Sequence, residues 1–218
     1  MRYPPLIKAG TVIDPFVLAD TYGVDQFRYF FLREVPFGQD GNYSHEAIVN
    51  RTNADLANDL GNLAQRSLTM INKQLGGVVP KPGAYGPADK AILAATDDMI
   101  GAAREHMKTQ QLHQVLNVVW AVVAEANRYF AGEAPWALAK TDPAKQATVL
   151  YTTAEVVRQV AILAQPVMPA SCAKLLDVLG IAEDARDFAA IPTRIKPGTQ
   201  LPPPTGVFPR YVEPAAAS

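Results

Sequence analysis

Residues 56–66 read LANDLGNLAQR, and the pattern of apolar positions around them decides the fold class of this chain. Leu56, Leu60 and Leu63 recur at steps of three and four residues, which is the spacing of a buried helix face. The stripe continues in both directions along the chain, through Ile48, Thr52, Ile71 and Leu75. The sequence therefore predicts one long amphipathic helix in this region.

The ends of the long helix are marked by residues that start and stop helices. Ser44 is a favoured N-cap residue, and Glu46 places a carboxylate in the first turn, where the helix dipole stabilises it. The pair Gly76-Gly77 is a stop signal, because glycine readily adopts the left-handed conformation that ends helices. We therefore expect the helix to run from Ser44 to the two glycines.

A polar ridge, Asn58, Asn62 and Arg66, runs along this helix at intervals of four residues. At about 100° per residue the ridge points largely away from the apolar stripe. It is either a row of solvated side chains, with Asp55 and Asp59 forming ion pairs with arginines of the same helix, or a binding surface. Asn is a poor helix former, and its use in two successive turns keeps the second interpretation open beside the first.

Further helical segments flank the long helix. Two short ones precede it, from Asp14-Pro15 to Gly23 and from Asp25 to Glu34, before Pro36. Those that follow it are Pro87 to about Thr109, Leu112 to Phe130, Pro143 to Gln165 and the short Ala170 to Leu179. The sequence therefore predicts an all-α fold, an antiparallel helical bundle.

The core and the tail of this bundle can also be predicted. On the first segment after the long helix, the apolar side is expected to carry Ile92, Met99 and Met107. From Ile181 the chain is rich in proline, and we expect it to lie extended over the helices rather than in a sheet. Its expected contacts with the helices are Val207, Phe208 and Tyr211.

Composition limits the function classes. Twenty Lys plus Arg against twenty-one Asp plus Glu give a formal charge of −1, so any nucleic-acid contact must be local rather than driven by bulk charge. The single cysteine, Cys172, excludes an internal disulfide, and we expect it to be a buried small hydrophobe in a reducing cytoplasm. There is no signal-peptide pattern and no apolar run of about 18 residues, so we expect a cytoplasmic protein without a membrane partner.

No catalytic or metal-binding constellation is present in the sequence. It contains no phosphate-binding glycine loop, no serine-nucleophile elbow and no histidine pair at zinc-ligand spacing. His45, His106 and His113 lie in different segments and are expected to have ordinary surface or capping roles. We therefore predict no catalytic residue and no metal site.

A second unusual feature is EAPWALAK, residues 133–140. Pro135 is expected to break the preceding helix, and Trp136 follows it in the predicted loop. The indole either fills the bundle core, as large aromatic side chains often do, or offers its face to a ligand. The sequence leaves both interpretations open.

Several of these stretches resemble one family, the bacterial methionyl-tRNA synthetases. Residues 11–47 (TVIDPFVLADTYGVDQFRYFFLREVPFGQDGNYSHEA) resemble the part that follows the KMSKS active-site loop. Residues 53–66 (NADLANDLGNLAQR), with ANRYF at 126–130 and EAPWALAK, resemble the anticodon-binding domain. The resemblance extends from about Thr11 to about Glu213. REVPFGQDG, the ridge and the APW turn together are its most specific parts.

The resemblance implies a fold, a domain arrangement and a site. The fold is the helical bundle of class I synthetase anticodon-binding domains. Residues 1–43 are a stem-contact segment, residues 44–180 the anticodon-binding bundle and residues 181–218 an extended tail on that bundle. The site for the CAU anticodon of methionine tRNA comprises Asn58, Asn62, Arg66 and Trp136, with Pro135 shaping the turn.

These side chains are suited to read a single-stranded base. RNA loops are recognised by stacking bases on aromatic faces and by hydrogen bonds to their edges. Cytosine offers an amino donor beside two acceptors, so an Asn carbonyl next to the Arg66 guanidinium matches it. Uracil would leave a polar group unpaired, at a cost of about 1–3 kcal/mol. Stacking on Trp136 is expected to add about 1–3 kcal/mol for any base.

The chain also departs from the family pattern. MRYPPLIKAG stands where the KMSKS loop would lie, and the nucleotide-binding catalytic domain with its HIGH-type motif is absent. We therefore expect a truncated form that uses no cofactor, although the parent enzyme uses ATP and methionine. Its assignment to the methionine–tRNA ligases rests on resemblance, and we expect no aminoacylation by this chain alone.

Two other functions remain open. The chain could be a free-standing tRNA-binding or regulatory paralogue. It could also be a helical protein-interaction module that binds a catalytic domain or another protein through its stem-contact face. An apolar patch on that face is expected from Phe27, Phe30, Phe31, Leu32 and Phe37.

Overall fold

A computed structural model describes residues 14–36, 38 and 44–213, and the secondary structure of these residues is helical. The α-helices are α1 (Pro15–Tyr22), α2 (Val24–Glu34), α3 (His45–Arg51), α4 (Asn62–Gln74), α5 (Pro87–Lys108), α6 (Leu112–Glu133), α7 (Pro135–Thr141), α8 (Pro143–Ala164) and α9 (Pro169–Val178). A π-helical segment, Thr52–Gly61, joins α3 to α4, and 3-10 turns lie at Glu183–Ala185 and Phe188–Ala190. Within the described ranges the β pairing is one isolated bridge, between Val78 and Gln200. The all-α prediction is confirmed.

The predicted helix ends are confirmed where local capping sets them. The Asp14 side chain accepts a hydrogen bond of 2.9 Å from the backbone N–H of Phe16, and Pro15 occupies the first turn of α1. The Ser44 hydroxyl accepts a bond of 3.1 Å from the N–H of Ala47. Such bonds satisfy N–H groups that have no partner inside the helix.

The prediction that Asp25 opens the second helix is wrong. The helix begins one residue earlier, at Val24, after Gly23 with φ 95°. Asp25 is buried, and its carboxylate accepts a hydrogen bond of 2.5 Å from the backbone N–H of Ser171, in the first turn of α9. Asp25 therefore caps a helix far along the chain, which packing and not local sequence decides.

The long helix is continuous from α3 to α4, but its middle is π-helical rather than α-helical. Backbone bonds there close one residue further than in an α-helix, as from the N–H of Asn62 to the carbonyl of Ala57. Helix α6 supports this segment, because Trp120 and Asn127 donate hydrogen bonds of 3.2 and 3.1 Å to the carbonyls of Asp55 and Asp59. A wheel of 100° per residue is therefore wrong across Thr52–Gly61, although the predicted apolar stripe is buried apart from Leu75, which is half-buried.

Helix α8 is the centre of the bundle. Every residue from Thr148 to Ala164 is buried, and α4, α5, α6, α7 and α9 all pack against this helix. A helix that is buried on all sides is a central helix and not an amphipathic surface helix. The buried carboxylate of Glu155 pairs with Arg158 at 2.7 Å and accepts a bond of 2.9 Å from the N–H of Ile195, so the helix also holds the tail.

The tail packs as predicted, with Phe208 buried and Val207 and Tyr211 half-buried.

The prediction for Met107 is wrong. Ile92 and Met99 are buried, whereas Met107 is 48% exposed because it lies in the exposed last turn of α5. Cys172 is buried as expected, and burial raises the pKa of its thiol. No helix in the described part of the chain is long and apolar enough to span a bilayer.

The predicted apolar patch on the stem-contact segment needs correction. Phe30 is buried because α2 packs against α6 and α9, and Phe27, Phe31 and Leu32 are half-buried. Phe37 lies outside the described residues. Among the described residues of this segment, the large apolar side chains that are exposed are those of Phe16, Val17 and Val24, and Phe16 is 77% exposed.

Candidate functional site

The arginine of the polar ridge and the tryptophan after the proline lie side by side. The Arg66 guanidinium carbon is 5.3 Å from the ring centroid of Trp136 and 5.2 Å from that of Phe130. The two rings are 5.9 Å apart and inclined by 59°. Guanidinium groups at this range are attracted by aromatic rings. Three side chains from α4, α6 and α7 therefore form one cluster, called here the arginine–aromatic site.

Trp136 is a surface residue and does not fill the core. It is 48% exposed, whereas Phe130 beneath it is buried. The core position is taken by the other tryptophan, Trp120, which is 6% exposed. Of the two interpretations that the sequence left open, the one with an indole face open to a ligand is therefore the one that the geometry permits.

A short turn between α6 and α7 orients Trp136. Ala134 has the left-handed conformation, φ 45° and ψ 56°, and its N–H donates to the carbonyl of Phe130 at 3.2 Å. Pro135 follows as the first residue of α7 and is buried, and its carbonyl accepts a bond of 3.0 Å from Gln146. Trp136 thus lies in the first turn of a helix and not in the loop that was predicted.

An ionic network centred on the buried Asp89 lies next to this turn. The Lys145 ammonium bridges Asp89 and Glu133 at 3.0 Å each, and the Tyr129 hydroxyl donates to Asp89 at 2.6 Å. Burial alone would raise the pKa of Asp89, but the bonds from Tyr129 and Lys145 outweigh burial and lower that pKa. The network ties the starts of α5 and α8 to the end of α6, next to the turn that carries Trp136.

The polar ridge is accessible, as predicted. Asn62 and Arg66 are exposed and Asn58 is half-buried. Within residues 14–36, 38 and 44–213, Arg66 makes no ion pair and the Asn62 side chain makes no hydrogen bond. The Asn58 carbonyl oxygen accepts a hydrogen bond from Arg210 of the tail.

The ion pairs expected of a purely solvated ridge are formed only in part. Asp55 pairs with Arg51 at 3.4 Å and accepts a bond of 2.7 Å from the Tyr29 hydroxyl. It does not pair with Arg66. In the described structure Asp59 forms no ion pair, and burial together with the charge of Asp55 raises its pKa. The guanidinium of Arg66 is therefore held by rings and not neutralised by a carboxylate.

Two residues at this site were not predicted. Phe130 is the last residue of the ANRYF stretch and lies six residues before Trp136 in the chain. That short separation was a signal that the two rings could be in contact. Arg210 lies between Phe208 and Tyr211, both of which were expected to contact the helices. Because its neighbours were expected to hold the tail on the helices, Arg210 could have been predicted to lie close to the helix surface.

The chemistry of the surface follows from its atoms. A guanidinium offers a planar fork of N–H donors, an Asn amide offers one acceptor and one donor group, and an indole offers an apolar face. Together they suit a flat, polar ring that is stacked on one side and hydrogen-bonded along one edge.

Known proteins match this chain over nearly its full length. The family described as the anticodon binding domain of methionyl tRNA ligase matches residues 79–216, and that of class I (M) tRNA synthetases matches residues 8–68. Methionine–tRNA ligase of Brucella suis biovar 1 (strain 1330) is 63% identical over 207 residues, which are 94% of this chain and 40% of that protein. The ligase of Mycobacterium tuberculosis (strain H37Rv) is 55% identical over 211 residues, 95% of this chain and 41% of that protein.

A solved structure matches as well. The crystal structure of free-state methionyl-tRNA synthetase from Mycobacterium tuberculosis superposes with a TM-score of 0.91 at 55% identity, over 93% of this chain and 42% of that one. The chain thus spans about 40% of the length of the relatives it matches. Since the anticodon-binding family alone covers residues 79–216 of the 218, the chain belongs to the methionyl-tRNA synthetase family and carries its anticodon-binding domain.

Proposed function

We propose that this chain recognises the CAU anticodon loop of methionine tRNA through Asn58, Asn62, Arg66 and Trp136. One observation carries the proposal. Arg66 and Trp136, from different helices, meet on an open surface with the indole 48% exposed and, among the residues that the structure describes, no carboxylate paired with the guanidinium. A structural cation–π pair needs no accessible side-chain amide beside it, such as that of Asn62, whereas a site that reads the edge of a base does.

The proposed contacts divide stacking from edge recognition. Trp136 stacks on one base of the loop, and this term is insensitive to sequence. The Arg66 fork and the Asn62 carbonyl together match the edge of cytosine, which presents two acceptors and one donor. Uracil at the same position carries a proton on N3, so its N3–H faces the donor fork of Arg66 whichever way the Asn62 amide is turned. We expect that mismatch to cost about 1–3 kcal/mol.

Pro135 has a supporting role in this proposal. It is buried, so it is not expected to touch RNA, but its carbonyl is bound by Gln146 and it starts α7. Its ring fixes the backbone angle that sends Trp136 outward after the left-handed Ala134.

We further propose that this chain alone does not aminoacylate tRNA. Neither a HIGH motif nor a KMSKS loop occurs in its 218 residues. In this proposal residues 1–43 contact the tRNA stem, residues 44–180 bind the anticodon and residues 181–218 lie on the bundle. An assay of methionine-dependent exchange between ATP and pyrophosphate should give the background rate, and clear turnover would contradict this part of the proposal.

A binding titration tests the recognition itself. Fluorescence anisotropy with a labelled methionine-tRNA anticodon stem-loop should show tighter binding than with the same stem-loop carrying U in place of C in the anticodon, by about 5- to 100-fold. Equal affinity for the two RNAs would refute the proposal and leave the protein-interaction module as the remaining function.

A further inference from the structure

The C-terminal tail lies beside the polar ridge and reaches it at Asn58. Next to the ridge, a Cβ atom added at Gly61 would be 3.4 Å from the Cβ of Phe208. Phe208 is buried there. The tail therefore packs directly against the helix that carries the ridge.

The tail is clamped on both sides of Arg210. On one side Phe208 is buried against the bundle. On the other, the side-chain amide of Asn53 binds the backbone of Tyr211 twice, accepting from its N–H at 2.8 Å and donating to its carbonyl at 3.2 Å. Although Arg210 is itself exposed, its backbone is therefore held at a fixed place beside the π-helical segment.

Arg210 donates a hydrogen bond to the side-chain carbonyl of Asn58. A guanidinium has donors and no acceptor, so an Asn amide beside it can present only its oxygen. The NH₂ group of Asn58 then lies on the opposite side of the amide. We propose that Arg210 is a positioning residue, which fixes the Asn58 amide so that its NH₂ group donates to bound RNA. This inference rests on the proposed function.

The contact between Arg210 and Asn58 gives the two asparagines of the ridge different hydrogen-bonding roles. The Asn58 oxygen is occupied by the tail, so Asn58 acts as a donor toward an acceptor atom of the RNA. Asn62 carries no such constraint and supplies the acceptor that the cytosine amino group requires. The ridge then presents a donor, an acceptor and the donor fork of Arg66 in order. The tail is in this way part of the reading surface and does more than cover the bundle.

A different role for Arg210 makes a different prediction. An arginine that only attracts a phosphate contributes the same factor whatever residue stands at position 58, and its loss lowers the salt dependence of binding by about one charge. An arginine that acts through Asn58 loses its effect when Asn58 is removed. The two roles are therefore separated by a double-mutant cycle.

The test measures the dissociation constant of the CAU stem-loop for the unchanged chain, Arg210→Gln, Asn58→Ala and the double variant. Gln is chosen because its amide can donate or accept and so does not dictate the orientation of Asn58. Arg210→Gln should weaken binding about 5- to 20-fold in the unchanged background and less than twofold in the Asn58→Ala background. Equal losses in both backgrounds would overturn the proposal.

Two conservative variants sharpen the result. Arg210→Lys keeps a residue that only donates and should stay within about threefold of the unchanged chain. Asn58→Asp keeps the partner of Arg210 but replaces the outward NH₂ group by an oxygen, so binding should weaken at least as much as for Arg210→Gln. Tight binding by Asn58→Asp would contradict the donor role.

Controls distinguish the possible failures. Arg104→Gln removes an exposed arginine of α5 and reports the effect of losing one charge elsewhere. Circular dichroism and thermal melting of each variant report whether the bundle is intact. If the unchanged chain fails to prefer CAU, the proposed function fails and this inference with it. If it prefers CAU but positions 58 and 210 are not coupled, only this inference fails.

Discussion

The guanidinium carbon of Arg66 lies 5.3 Å from the ring centroid of the exposed Trp136 and is equally close to the ring of the buried Phe130. The arrangement keeps a charged fork at a defined angle without neutralising it, since a ring attracts the cation but leaves its N–H edge free. A carboxylate in the same place would occupy the donors that a base edge needs. The rings therefore prepare Arg66 for a planar, polar ligand.

The two tryptophans should respond in opposite ways to truncation. Trp136→Ala should weaken binding of the CAU stem-loop by about 1–3 kcal/mol and leave the melting temperature nearly unchanged, because the ring is 48% exposed. Trp120→Ala should cost about 3–5 kcal/mol of stability, because that ring is buried and donates to the carbonyl of Asp55. Thermal melts and anisotropy titrations measure both, and a loss of fold in Trp136→Ala would contradict a surface role.

Arg66→Lys should separate charge from shape. Lysine keeps the positive charge but has no planar fork, so it cannot bind two atoms of one base edge together. We expect the preference for C over U to fall to less than about threefold, while the slope of affinity against salt concentration stays as in the unchanged chain. A retained preference would mean that the base edge is read by other residues.

Gly61→Ala should destabilise the protein, unlike other helical glycines. A Cβ atom at Gly61 would lie 2.8 Å from the carbonyl oxygen of Leu56, which belongs to the π-helical segment, so the backbone would have to move. We expect a loss of about 1–3 kcal/mol in urea unfolding. Gly101→Ala in α5 is the matched control, because nothing lies within 4 Å of its added methyl group. It should be neutral or stabilising by up to about 1 kcal/mol.

Acid should weaken the ionic network centred on Asp89. Hydrogen bonds from Tyr129 and Lys145 lower the pKa of Asp89 below its unfolded value of about 3.9, even though burial opposes them. Because the folded pKa is the lower one, this carboxylate stabilises the fold above pH 4, and the contribution is lost as the pH falls through the folded pKa.

Asp89→Asn tests that linkage. The variant should lose about 1–3 kcal/mol at pH 7, because Lys145 and Tyr129 lose an ionised partner. Its free energy of unfolding should also fall less steeply than that of the unchanged chain as the pH drops below about 4. Urea titrations between pH 2.5 and 7 measure both effects, and identical slopes for the two proteins would assign the acid sensitivity to other carboxylates.

The local features of this fold could be read from the sequence because their causes act within one or two helical turns. The caps at Asp14 and Ser44, the stop at Gly76-Gly77 and the buried stripe through Leu56 and Leu60 depend on neighbouring residues only. The outward direction of Asn62 and Arg66 followed from the same stripe. Identification of the site residues needed the family resemblance in addition, since spacing alone did not exclude a merely solvated ridge.

Tertiary structure decided what depends on contacts between distant parts of the chain. The π-helical segment is supported by hydrogen bonds from Trp120 and Asn127 of α6. The Asp25 carboxylate accepts a hydrogen bond from the first turn of α9 and does not cap its own helix. The burial of α8 on all sides reflects its central place, which no periodicity within the helix can reveal.

The same division holds at the site. The sequence by itself determined that an accessible row of amides and an arginine lies on one long helix, because helical periodicity is a local property. Only the tertiary structure decided that Trp136 is open, that Phe130 lies beneath Arg66, and that the tail holds Asn58 through Arg210. These contacts join helices and a tail far apart in sequence, and their geometry is set by packing of the whole bundle.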